Sequence, residues 1–123
     1  MELQGIGIYF FDDRIRIFSK TMEDLNYPKY IHLLIMRKEK LLLIRGCEKR
    51  DNDTFKVMKK QDGGEWRYRI SSKAFVIYLA SLIGVPYPSD SLWLQEAIKK
   101  DENTVLINLS NYQVLPYYSE REQ

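Results

Sequence analysis

One cysteine, one histidine, six glycines and four prolines occur in the 123 residues of this chain. A lone Cys47 forms no disulfide within the chain, so no secreted, cross-linked framework is read. His32 stands alone in an apolar strand pattern without spaced acidic partners. It reads as a structural histidine, and no metal site or cofactor is expected. Cys47 has no histidine near it in sequence, and a nucleophilic thiol needs a base within hydrogen-bond reach. A phosphate loop is missing too, because Asp62-Gly63-Gly64 is short and lacks the following helix. The longest apolar run, residues 74–85, is broken by Ser81 and is too short to span a bilayer. Met1-Glu2-Leu3-Gln4 shows no basic segment ahead of an apolar core, so no signal peptide is read. These absences describe a soluble, cytoplasmic, non-enzymatic chain with no membrane partner.

Charge of one sign is scarce as well. Nineteen Lys and Arg oppose seventeen Asp and Glu, a formal net charge of +2. Residues 1–62 hold 13 basic and 10 acidic side chains, and residues 63–123 hold 6 and 7, so the basic bias sits in the first half. That is well short of the concentrated charge of an obvious nucleic-acid binder. Apolar and aromatic residues are plentiful, with 45% hydrophobic residues and nine tyrosines. They suffice to bury the core of one domain and exclude a disordered chain.

Arg14-Ile15-Arg16-Ile17-Phe18-Ser19-Lys20 recurs fifty-three positions later as Arg67-Tyr68-Arg69-Ile70-Ser71-Ser72-Lys73. Each copy is an alternating basic and apolar strand leading through Ser-Lys into a helical pattern. Self-similarity at a fixed offset points to one supersecondary unit used twice. The reading is a single domain over 1–123 with pseudo-repeats at about 5–47 and 54–116, and residues 117–123 as a frayed tail.

Residues 5–11 and 14–18 read as strands around an Asp12-Asp13 turn. Ser19 caps a short helix to Leu25, Asn26 suits its left-handed end, and Pro28 stops it. Residues 30–36 and 41–45 form an apolar hairpin around Arg37-Lys38-Glu39-Lys40. Residues 55–59 alternate as a strand, and Gln61-Asp62-Gly63-Gly64 turns the chain. In the strand 65–70, Trp66, Tyr68 and Ile70 share one face while Arg67 and Arg69 share the other. Ser71 or Ser72 caps a longer helix to Ile83, closed by Gly84, whose apolar positions nearly encircle it. It is expected to be the most buried helix. Ser89 or Ser91 caps an inserted helix over 92–100, and residues 104–109 and 113–115 form a late hairpin. Each copy thus runs strand, strand, short helix, hairpin, with an insertion at about 85–102 in the second.

Asp13-Arg14-Ile15-Arg16-Ile17-Phe18, the helix ending at Leu25-Asn26, and the hairpin around Glu39-Lys40 resemble the AbrB-like swapped-hairpin family. The likeness covers about residues 12–45, and more loosely 65–79 with 104–115; two copies in one chain look like its duplicated, MraZ-like arrangement. The resemblance implies an α+β, mostly β fold: a pseudo-duplicated swapped-hairpin β-barrel with one main buried helix and one inserted helix. The barrel would close within one chain or across a homodimer. The resemblance also implies DNA binding and transcription regulation, and it puts the family's turn arginine at Arg14. The chain departs from the pattern at Phe18, where the family has Pro, at Asn26, where it has Gly, at Met22 and Glu23, where some DNA-binding members are basic, and at Glu65-Trp66.

The candidate nucleic-acid contacts are Arg14, Arg16, Lys20, Arg67, Arg69 and Lys73, because guanidinium forks two apart on a strand share a face and suit phosphates and guanine edges. Lys56, Lys59 and Lys60 with Trp66 and Tyr68 could bind single strands, rings stacking on bases. A different reading makes the chain a protein-interaction module, antitoxin-like or a mobile-element accessory, with Tyr87, Leu92 and Trp93 as an exposed patch. The expected partner is double-stranded DNA or, in that second reading, another protein.

Overall fold

Strands form wherever β-branched and aromatic residues alternate with polar ones, and that pattern fills most of this chain. The computed structural model describes residues 3–115. Its elements are β1 (Ile6–Tyr9), β2 (Arg14–Ile17), α1 (Ser19–Asp24), β3 (Tyr30–Met36), β4 (Leu41–Cys47), β5 (Phe55–Lys56), β6 (Met58–Asp62), β7 (Glu65–Ser71), α2 (Lys73–Ile83), β8 (Leu92–Leu94), β9 (Ala97–Asp101), β10 (Thr104–Asn108) and β11 (Gln113–Val114). The fold is mostly β, with two antiparallel sheets and few helices. The first sheet has the order β11-β8-β1-β2-β7-β6 and the second β5-β3-β4-β10-β9.

Turn chemistry explains the hairpins. Asp13 takes a left-handed conformation (φ 52°) between β1 and β2, and Gly63 and Gly64, at φ 60° and 85°, make the tight β6–β7 turn. Two successive positive φ values match the right-handed twist of the flanking strands. The Ser72 hydroxyl accepts from the Phe75 N–H at 3.1 Å, and Gly84 closes α2 at φ 92°. One buried cluster joins Ile6, Ile8, Ile15, Ile17 and Ile70 of the first sheet to Ile31, Leu42, Ile44, Val105 and Ile107 of the second. Met22 of α1, Leu25 just after it, and Val76 and Leu79 of α2 complete it. Each such side chain contributes about 1.5–3 kcal/mol by leaving water.

Several expectations are corrected. Residues 92–100 are not a helix. Leu92–Leu94 is β8, paired to β1 with Leu94 opposite Ile6 and Leu92 opposite Ile8, and Ala97–Asp101 is β9 against β10. A nine-residue helix is marginal, whereas an open edge of β1 offers backbone partners and a core slot for Leu92 and Leu94. The late hairpin does not form either, since β11 pairs with β8 in the first sheet while β10 lies in the second. The strand read over 55–59 is divided: β5 pairs with β3 and β6 with β7, so the chain changes sheets at Val57. Helix α2 is buried on one side only, through Val76, Leu79 and Ala80, with Ile77 and Tyr78 exposed. The tail at 117–123 lies outside the described residues.

Candidate nucleic-acid interface

The register of β2 on β7 decides where the arginines go. Ile15 faces Ile70 and Ile17 faces Tyr68 on the core side, so Arg14, Arg16, Arg67 and Arg69 share the outer face of the first sheet. Arg16 stands directly opposite Arg69, its counterpart fifty-three positions on, and the two phrases run antiparallel around that pair. Order repeats as well: a hairpin (β1–β2, β6–β7), a helix, then a second hairpin (β3–β4, β9–β10), with β8 extra. The first hairpins meet through β2 and β7, the second through β4 and β10.

Aromatic rings set the arginine geometry. The Arg16 guanidinium lies 4.7 Å over the Phe18 ring, and Phe18 meets Trp93 edge to face at 5.9 Å. Gly7 makes room beneath them: a methyl group there would sit 3.0 Å from the Tyr9 ring and 3.4 Å from that of Phe18. Arg67 is 3.2 Å from the Asp62 carboxylate across the β6–β7 hairpin. Lys20 is turned toward its own helix, 3.3 Å from Asp24 and 3.7 Å from Glu23. Lys73 is exposed in the first turn of α2. The structure thus joins the four arginines and leaves both lysines on the helices.

Tyr87, Leu92 and Trp93 do not make an exposed patch. Leu92 is 1% exposed within the core. The Tyr87 hydroxyl donates to the Asp13 carboxylate, a bond that holds the phenol above its ordinary pKa, and its ring packs against Phe10. The Trp93 indole N–H donates to the Gln4 carbonyl at 2.9 Å. Pairing of β8 to β1 is the physical reason, because it turns this segment into part of the sheet.

Next to the arginines β2 ends while β7 continues, which leaves a cleft. A cavity of about 410 Å³ there is lined by Arg16, Phe18, Tyr27, Trp66, Arg67 and Tyr68 among others. A second, of about 470 Å³, is lined by Tyr27, Lys29, Tyr30, Lys56, Lys59 and Tyr68 among others. Tyr27 and Tyr68 line both, so the two cavities adjoin at this tyrosine pair, and the recess they make together is the groove. Their ring centroids are 5.9 Å apart at a 50° tilt, and burial, then the neighbouring Tyr27, pushes the Tyr68 phenol up. The Lys59 ammonium lies 5.0 Å over the Trp66 ring. Asn26 and Tyr27 both have positive φ, 62° and 49°, at the end of α1. That conformation is unusual for a bulky residue, and it turns Tyr27 outward to 53% exposure. Tyr27 and Lys29 were not among the sequence candidates. A helix stop at Asn26 followed by Tyr27-Pro28-Lys29 was the available signal.

On the outer face of the second sheet the hairpin register brings Cys47 diagonally beside His32. The Cys47 Sγ is 3.7 Å from His32 Nδ1, and His32 Nε2 is 3.0 Å from Asp51 Oδ2. His32 Nε2–H donates to Asp51, and the Cys47 thiol donates to the Tyr30 carbonyl at 3.6 Å. Burial, then the Asp51 and Glu48 carboxylates, pushes the Cys47 thiol up. The Asp53 backbone N–H, and next the His32 side chain, holds the Asp51 carboxyl below its usual range. A protonated thiol facing two carboxylates is the reverse of the electropositive setting that activates cysteine. Hairpin pairing predicted from residues 30–36 and 41–45, extended by two, would have found this contact.

Among the described residues no helix is long and apolar enough to cross a membrane. Comparison with protein-family models, curated proteins and solved structures gave no match.

Proposed function

We propose that this chain is a small, non-enzymatic nucleic-acid-binding protein of transcription-regulator type, built as a duplicated AbrB-like unit, that contacts DNA phosphates through Arg14, Arg16, Arg67 and Arg69. The observation that carries the reading is the Arg16–Arg69 pairing, which joins two distant basic phrases into one face. The repeated order of hairpin, helix and hairpin supports the duplication. From Arg14 to Arg67 the face spans four strand positions, about 13 Å at roughly 3.3 Å per residue. Because β1 and β6 flank the central pair, the arginines sit on a broad surface rather than a narrow ribbon that enters a groove. Such a surface favours phosphate contacts over base reading, and so modest sequence preference.

The test is fluorescence anisotropy on a random duplex at several salt concentrations, with the double variant Arg14→Ala, Arg69→Ala. Losing two phosphate contacts lowers the salt slope by about 2. An unchanged affinity and slope would overturn this surface.

A second reading, a protein-interaction module on the same scaffold, is favoured by one observation. Leu34, Leu43, Leu106 and Ile98 form a row across the outer face of the second sheet, with Leu34 53% and Ile98 66% exposed. Large exposed apolar patches mark contact surfaces. A Leu34→Ser, Ile98→Ser variant that keeps its folding but loses a copurifying protein would support this reading.

A further inference from the structure

We infer that the groove beside the arginine face binds an unpaired stretch of nucleic acid, with bases stacked on Tyr27 and Trp66 and phosphates held by Lys29, Lys56 and Lys59. This deepens the nucleic-acid reading, rests on it for the class of ligand, and assigns the groove a role separate from that of the arginine face.

Three independent features lead to this assignment. The first is charge: Lys29, Lys56 and Lys59 line the second cavity with no carboxylate, and the first adds Arg16 and Arg67 from the edge of the arginine face, Arg67 paired with Asp62, against Glu65. The second is the pairing of charge with rings. The Lys59 ammonium lies over the exposed Trp66 ring, so a cation and a ring stand together at the wall of the groove, whereas Phe18, buried under Arg16, offers no face to a base. Basic grooves interleaved with aromatic platforms are what single strands need, because every base has a π face and every linkage a phosphate. The third is backbone: Tyr27 holds a positive φ, its N–H closing α1 on the Met22 carbonyl, and keeps its ring 53% exposed although that φ suits glycine better than a bulky residue. Strain kept at an exposed aromatic points to use of the ring. Size agrees, since each cavity falls in the range of about 300–1,000 Å³ that holds small organic groups. A duplex would not suit the groove, because its bases are stacked on one another and their faces are closed to Tyr27 and Trp66.

The test uses the full chain with fluorescein-labelled single-stranded thymidine and uridine decamers, and the same random duplex as a parallel arm. Tyr27→Gly removes the ring and relaxes the backbone, so its melting temperature should hold or rise. Single-strand affinity should fall about 5- to 150-fold, the span of one base–aromatic stack, while duplex affinity stays unchanged. Tyr27→Phe should bind like the parent. Single-strand binding unaffected by both Tyr27→Gly and Trp66→Ala would overturn the groove assignment, as would no single-strand binding by the parent at low salt. Loss of duplex binding alone, in the Arg14→Ala, Arg69→Ala variant, leaves the groove standing and bears only on the arginine face. Equal affinity for the two decamers supports recognition of base and phosphate, and a uridine preference supports the same groove with a 2′-hydroxyl contact.

Discussion

Outward positions of β2 and β7 on the first sheet carry Arg14, Arg16, Arg67 and Arg69, with Ser71 and Glu65 at the ends of β7, whereas the outward row across β3, β4, β10 and β9 on the second is Leu34, Leu43, Leu106 and Ile98. Both faces arise from the same alternation. On the first, Gly7 opens a recess that Tyr9 and Phe18 fill, so the outer side carries a packed aromatic layer with the Arg16 guanidinium over it. On the second nothing covers the aliphatic row among the described residues, and polar chemistry gathers at one end, where His32, Cys47 and Asp51 sit beside Arg45, whose Nε–H donates to the Thr104 hydroxyl. Alternation therefore decides which residues face outward, and the neighbours of those residues decide whether the face is built or bare.

That contrast can be broken at several points. Phe18→Ala removes a buried ring that carries both Arg16 and Trp93, and urea unfolding should register a loss of about 3–5 kcal/mol. A loss below about 1 kcal/mol would mean the aromatic layer is not packed. Gly7→Ala comes next, since its methyl group forces the Tyr9 and Phe18 rings aside, with an expected loss of about 1–3 kcal/mol by the same assay. Leu34→Lys and Ile98→Lys on the open face should each shift stability by no more than about 0.5 kcal/mol. A larger loss would show that the row is covered in solution, and sedimentation velocity would then reveal the association.

The smallest effect is on Cys47. Its raised thiol pKa delays alkylation by iodoacetamide to a pH above the ordinary thiol midpoint of about 8.5. Asp51→Asn takes away a negative charge that favours the protonated thiol. The alkylation midpoint should therefore move down, with the rate at neutral pH rising. A midpoint that stayed put would remove Asp51 as a cause.

Much of this fold was legible in the chain, and the reason is local chemistry. Gly63-Gly64, Ser72 and Gly84 act within a few residues of themselves, so the turn and both ends of α2 followed from sequence. The outward direction of Arg67 and Arg69 followed from period two. What stayed hidden depends on long-range partners. Nothing within residues 92–100 says that the edge of β1 is open, so a capped helix was the natural reading there. The change of sheets at Val57 is set by a bond from its N–H to the Lys29 carbonyl, at 2.9 Å. The groove was half visible: Lys56, Lys59, Trp66 and Tyr68 lie close in sequence, but Tyr27 and Lys29 reach them only through the fold.

The Arg16–Arg69 pairing also fixes something about direction. Two copies of one pattern laid side by side in opposite senses look alike from either end. A linear partner stretched along the face meets Arg14, then the central pair, then Arg67, and after reversal meets the same arrangement. The face therefore has no polarity of its own, and any preference for one strand direction must come from the flanking β1 and β6, which are not alike.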